Sequence, residues 1–220
     1  MTEPVKRQYA STLRAEQARA TRRAIVDAAA RLFIERGYGA TTVDAIAEEA
    51  GVSRKTVFTS VGGKVEALKL AVDWAIVGDD EPVPLLDRPE IERQRAEPDA
   101  RRLLGSYAAM QRRSAARVAP LVSVAESVAG SDPAVRALVD EGKSQRRFGM
   151  GMLAAQLAER GALRRDLSLD EAGDVLWLFN DPLTYHRLVI QRGWSPERYE
   201  DWIANTVIAL LVRPDYSPTS

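Results

Sequence analysis

Apolar residues recur along this chain at intervals of three and four, the spacing of helices buried on one face, and no stretch alternates apolar with polar as a half-buried strand would. From Thr21, the positions Ile25, Ala28, Ala29, Leu32 and Phe33 predict one helix ending near Gly37. Thr41, with Asp44 three residues on, resembles a capping box opening a second helix whose inward residues are Val43, Ile46, Ala47 and Ala50. Gly51 allows a tight turn, Val52 anchors it, and Ser53 is placed to cap a third helix of about two turns. So short a helix is unstable alone, so Val57 and Val61 must pack against the first two. Residues 64–77 continue as a helix with Val65, Leu68, Val72, Ala75 and Ile76 inward, closed by Gly78 and the acidic run to Pro82.

The proline-rich stretch 78–98 reads as a loop, and helices resume beyond it. Leu103, Leu104, Tyr107 and Ala108 mark one; Pro120 is expected to begin another that ends at Gly130. Asp132-Pro133 caps a long helix running to about Arg160 and closed by Gly161. Ser168 caps the next, with the stripe Ala172, Val175, Leu176, Phe179 and Leu183 and an expected kink at Pro182. Ser195-Pro196 opens the last. The predicted fold is all-α. Its expected parts are a basic flexible arm (1–20), a helix-turn-helix domain (21–77), a loop (78–98), a second helical domain (99–214) and a tail (215–220).

The third helix is the candidate for recognition. Arg54, Lys55, Thr56, Thr59 and Ser60 project from its outer face, and a helix-turn-helix places such a face in the major groove, where Arg and Lys reach guanine acceptors and hydroxyls reach phosphates or bases. The plainer alternative is a solvated helix in an ordinary bundle. Charge sharpens the choice: the chain balances 31 basic against 31 acidic residues, yet residues 1–64 carry eleven Lys/Arg and seven Asp/Glu, a local net of +4. Lys6, Arg7, Arg14 and Arg19 are either part of a solvated tail or an arm that settles on DNA.

Composition removes several classes of chemistry. Without Cys there is no disulfide, thiolate metal site or cysteine nucleophile, and a lone histidine, His186, makes a His-rich metal site or a Ser/His hydrolase improbable. No enzyme, cofactor or metal is expected. The N-terminus lacks a signal-peptide core and no apolar run would span a bilayer, so no membrane partner is expected and the cytoplasm is the expected location.

Residues 22–76 resemble the DNA-binding domain of TetR-type transcriptional regulators. The resemblance lies in Ala28-Ala29-Ala30-Arg31-Leu32-Phe33, Gly37-Tyr38, Thr41-Thr42-Val43, Ile46-Ala47, Ala50-Gly51-Val52-Ser53, Thr56-Val57-Phe58, Lys64 and Leu68. It implies that Thr42, Thr56 and Lys64 touch phosphates while Arg54, Lys55, Thr59 and Ser60 face the major groove; Ser53 and Phe58 complete the expected DNA-facing set. Many members carry Tyr where this chain has Phe58, which cannot donate to a phosphate. Many carry His or Tyr in place of Ser60 and Phe in place of Val61, and Gly62-Gly63 is looser than usual.

The resemblance also implies a homodimer through the last two helices, a four-helix bundle in this family, with Phe179, Leu183, Tyr199, Trp202, Ile203, Thr206, Val207 and Leu210 expected at the interface. That stripe could instead be intramolecular core. A small-molecule pocket is expected among Trp74, Tyr107, Met110, Gln111, Phe148, Met152, Trp177 and Tyr185. The expected function is a repressor that binds a palindromic operator in double-stranded DNA as a homodimer and is released by a small-molecule effector. A sequence-indifferent architectural DNA binder and a ligand-binding module without DNA binding remain as alternatives.

Overall fold

A computed structural model of the chain describes residues 4–218, with side chains from Leu13 onward; Lys6 and Arg7 of the expected arm therefore lie outside the described side chains. Ten α-helices are present among the described residues: α1 (Pro4–Ala40), α2 (Val43–Glu49), α3 (Arg54–Ser60), α4 (Lys64–Val77), α5 (Pro89–Ala96), α6 (Ala100–Val128), α7 (Pro133–Glu159), α8 (Leu169–Phe179), α9 (Pro182–Tyr185) and α10 (Pro196–Leu211). The described residues hold no strand, only an isolated bridge between Leu163 and Val212. None of their helices is long and apolar enough to cross a membrane.

Four expectations about elements are corrected. The first helix begins at Pro4 rather than Thr21, so the supposed flexible arm is helical backbone; its many Ala, Arg, Glu and Gln residues are good helix formers. The expected 78–98 loop holds a 3₁₀ turn, Leu85–Asp87, and then α5, which has Pro89 at its first position and acidic Glu90 and Glu92 in its first turn. Pro120 starts no helix but lies inside the 29-residue α6. Pro182 does not kink α8: that helix stops at Phe179, and Pro182 opens α9 with the Asp181 carboxylate accepting from Leu183 N at 3.0 Å.

Two apolar clusters organise the packing. The first joins α1 to α4 through Ile25, Phe33, Ile46, Val57 and Leu68, and extends to Leu121 and Ala125 of α6 and Val135 of α7. The second is built on Leu103, Tyr107, Leu157, Leu176, Tyr199 and Ile203 of α6, α7, α8 and α10. α6 is common to both. Ala119 belongs to the second cluster and Leu121 to the first, so Pro120 sits where the helix passes from one to the other.

α9 runs on as a π-helix, His186–Gln191. Its wider turn shows in Arg192 N donating to Arg187 O, five residues back, at 3.1 Å.

Candidate nucleic-acid interface

α1 supplies the floor under the helix-turn-helix. Gly37 takes φ 78°, which breaks the regular helix and turns Tyr38 inward, where its ring stacks on Phe33 with centroids 5.5 Å apart. Burial pushes the Tyr38 phenol up to about 12. Thr41 is only 1% exposed, and its hydroxyl serves the Leu32 and Gly37 carbonyls at 3.1 and 2.9 Å. That use of Thr41 corrects the expected capping box: Thr42 caps α2 instead, its hydroxyl accepting from Ala45 N at 3.1 Å.

The turn between α2 and α3 closes as a Schellman motif. Val52 N donates to Ala47 O at 2.9 Å and Gly51 N to Glu48 O at 3.1 Å, with Gly51 at φ 67°. Ser53 then caps α3, accepting from Thr56 N at 3.0 Å, and its hydroxyl lies 2.7 Å from that of Thr56. Val57 is fully buried, and this fixes which side of α3 faces outward. Arg54, Lys55, Phe58 and Thr59 are exposed, whereas Thr56 and Ser60 are half-buried at the edges of that face.

Two of the expected DNA-binding cations are engaged within the protein. Arg54 donates to Asp44 of α2 at 2.6 Å and lies 5.6 Å from the centroid of the Phe58 ring. The Lys64 ammonium donates to Tyr38 O at 3.0 Å and sits 3.9 Å from the centre of the Tyr38 ring, tying the start of α4 to the end of α1. An ammonium has three donors, so two remain for a phosphate. Lys55 stands exposed on the outer face. Thr59 donates back to Lys55 O and Thr56 O at 3.1 and 3.2 Å, which leaves its oxygen as an acceptor.

Beyond this surface, polar ties that the sequence reading did not find hold the helix-turn-helix to the rest. Arg31 of α1 pairs with Glu49 of α2 at 2.9 Å. Arg19 and Arg23 converge on Asp80, just past α4, at 2.6 and 2.8 Å. At the end of α4, Arg117 of α6 donates to the Ala75 and Ile76 carbonyls, and Ser114 to Ile76. The only trace of these contacts in the sequence is the acidic run Asp79-Asp80-Glu81 set against an arginine-rich α1.

The expected ligand residues do not gather in one pocket. Tyr107, Gln111 and Tyr185 are buried core; the Asn180 amide donates to the Tyr107 hydroxyl at 3.2 Å and that of Gln111 to the Tyr199 hydroxyl at 2.8 Å. Trp74 packs at the edge of the first cluster, and Met152 is half-buried on α7. Trp177 of α8 has Arg146 of α7 5.4 Å from its ring centroid. Phe148 is 66% exposed and encloses nothing. Of these residues, Met110 alone lines a groove of about 280 Å³ between α4, α5 and α6.

The expected dimer stripe is corrected in part. Tyr199, Ile203 and Val207 are fully buried within the subunit because α10 lays that face on α6, so they have no surface to offer a partner. Trp202 and Phe179 are half-buried with ring centroids 5.5 Å apart, Leu183 and Thr206 are also half-buried, and Leu210 is exposed. The most exposed large apolar side chains lie elsewhere, at Phe148 on α7 and Leu178 on α8. Those two helices pack closely, with Gly173 facing the backbone of Gly151.

Comparison with known proteins agrees with the geometry. Residues 25–66 match the family described as bacterial regulatory proteins, tetR family. Over 55 residues the chain is 42% identical to the uncharacterized HTH-type transcriptional regulator TtgW of Pseudomonas putida; the match covers 25% of this chain and 41% of that relative. A putative transcriptional regulator from Saccharomonospora viridis, solved in complex with choline, shares the fold at a TM-score of 0.65 and 22% identity, covering 87% of this chain and 97% of that one. NalD of Pseudomonas aeruginosa, the secondary repressor of the MexAB-OprM multidrug efflux pump, does so at 0.66 and 18%, covering 89% and 98%. The relatives named are transcriptional regulators.

Proposed function

We propose that this chain, a tetR-type regulator by its helix-turn-helix segment, is a repressor that binds a palindromic operator as a homodimer and releases it when a small molecule enters the C-terminal helices. The observation that carries the reading is α3: Val57 is fully buried, and Arg54, Lys55, Phe58 and Thr59 face outward from a frame in which Thr42 and Ser53 cap α2 and α3 and a Schellman motif closes the turn between them. In this reading Arg54 and Lys55 meet base edges, and Thr42, Thr56 and Lys64 meet phosphates. Arg54 is positioned by Asp44, which holds its guanidinium beside the reading face before DNA arrives.

One two-turn helix makes few base contacts, and a two-fold pair about 34–36 Å apart supplies a second set. The exposed Phe148 and Leu178 on the α7–α8 pair suit a second copy better than the buried α10 stripe does. Replacing both with Glu is expected to turn a dimer into a monomer in sedimentation, with helical content unchanged; a variant that stays dimeric puts the interface elsewhere.

The test of function is selection of a bound duplex from a random pool, followed by titration of variants. Lys64→Ala should weaken binding to every sequence and lower the salt slope by about one, whereas Arg54→Ala should cost about 1–3 kcal/mol on the selected site and relax its sequence. Equal affinity for random and selected duplexes would mark a sequence-indifferent binder, and no binding at all would leave a ligand-binding module.

A further inference from the structure

The groove between α4, α5 and α6 combines an apolar wall with an excess of positive charge. Ile76, Leu85, Ile91 and Met110 supply the wall. Four guanidinium groups also line it, those of Arg88, Arg93, Arg113 and Arg117, against a single lining carboxylate, Glu90. Arg88 is satisfied by Asp79 just outside, in a two-pronged pair at 2.6 and 2.8 Å, and Arg113 pairs with Glu90. That leaves two cationic groups in excess over the nearby carboxylates. Arg117 gives two of its five donors to the Ala75 and Ile76 carbonyls, at 2.8 and 3.0 Å, and none to a carboxylate. Burial, and then the like charge of Arg113 one turn away, push its guanidinium down from the usual arginine range.

A site that holds like charges side by side over an apolar wall is complementary to a ligand with an anionic head and an apolar body. We propose that this groove binds a small amphiphilic carboxylate, its head between Arg113 and Arg117 and its chain against Leu85, Ile91 and Met110. This deepens the reading of the chain as an effector-released regulator and rests on it. The geometry also links occupancy to the DNA-binding helices. A carboxylate taking the remaining donors of Arg117 would pull on the same guanidinium that bonds the carbonyls at the end of α4, the helix whose other end holds Tyr38 through Lys64. The small volume, about 280 Å³, favours a short chain over a long one.

Calorimetric titration of the full chain with octanoate, octanol and octyltrimethylammonium tests the assignment. Octanoate is expected to bind at least tenfold more tightly than octanol, and the cation more weakly than either. Arg113→Gln and, separately, Arg93→Gln, both at exposed positions, should weaken octanoate several-fold while leaving octanol unchanged. Glu90→Gln should strengthen octanoate, because it removes the carboxylate that competes for Arg113. Octanol binding as tightly as octanoate, octanoate failing to bind, or Arg113→Gln having no effect would each overturn the inference. Octanoate is further expected to release the selected duplex. If the chain binds the duplex but not octanoate, only this inference falls; if it binds octanoate but no duplex, the regulator reading falls and the groove assignment stands.

Discussion

The helix-turn-helix unit and the C-terminal bundle are both well-packed apolar cores, but they treat buried polar groups differently. In the first, Thr41 is hydrogen-bonded to two carbonyls, Lys64 to a third, and the α2–α3 turn is closed by a Schellman pair and the Ser53 cap. Among the described residues, the buried side-chain atoms without a hydrogen-bond partner all lie in the second: Gln111 Oε1, Arg146 Nε, Gln156 Oε1, His186 Nδ1 and Arg213 Nε. A unit with every polar group paired has one favoured shape, whereas unpaired groups in a core store a cost that another packing, or a ligand, can relieve. The helix-turn-helix holds one hydrogen-bonded arrangement, whereas the bundle keeps polar groups that a different packing could satisfy.

That contrast can be broken most directly at Thr41. Thr41→Val keeps the shape and removes both bonds of a buried hydroxyl, so it should lower stability by about 1–2 kcal/mol, measured by denaturant unfolding. A smaller loss would mean that the helix-turn-helix is less tightly specified than its hydrogen bonds suggest. Gln111→Met, at a site nearly as buried, removes an unpaired acceptor together with the bond to Tyr199, and these oppose each other; the expected change is under about 1 kcal/mol. A loss as large as that at Thr41 would erase the distinction.

The smallest expected effect concerns the ion pairs of the segment that follows α4. Arg88 holds the Asp79 carboxyl down to about 2, and Arg19 holds that of Asp80 below its usual range. A carboxyl whose folded pKa is depressed contributes stability above its unfolded value, near 4, and that contribution is lost as pH falls toward 2. Unfolding midpoints should therefore drop between pH 4 and pH 2, and less so in Asp79→Asn and Asp80→Asn. An identical acid profile in both variants would show that these pairs do not couple to folding.

Much of the helix-turn-helix was legible because its signals are local: Gly51 and Ser53 act within a turn of themselves, and Val57 sits at the one inward position of a short helix. Proline is less legible. Asp132-Pro133 and Ser195-Pro196 read as helix starts, whereas Asp181-Pro182, with the same pattern, is masked by the apolar stripe running across it. Pro120 shows the reverse error, since packing on both clusters outweighs one lost backbone bond. Thr41 could not be told from Thr42 as a cap, because the choice depends on which hydroxyl the fold buries. The groove was beyond sequence reading: its walls come from residues 76–77, 85–93 and 110–117, brought together only when α5 lies down beside α6.

The π-turn after α9 bears on how this chain tolerates changes in length. Such a turn carries one residue more than an α-turn over a similar span. A single deletion between His186 and Gln191 can be taken up by tightening that turn, leaving Asp181 and Trp194 near their places. The same deletion in the middle of α6 would rotate every later side chain by about 100° and face core residues outward. The 186–191 segment is slack in an otherwise taut chain, and a place where related sequences can differ by one residue without changing fold.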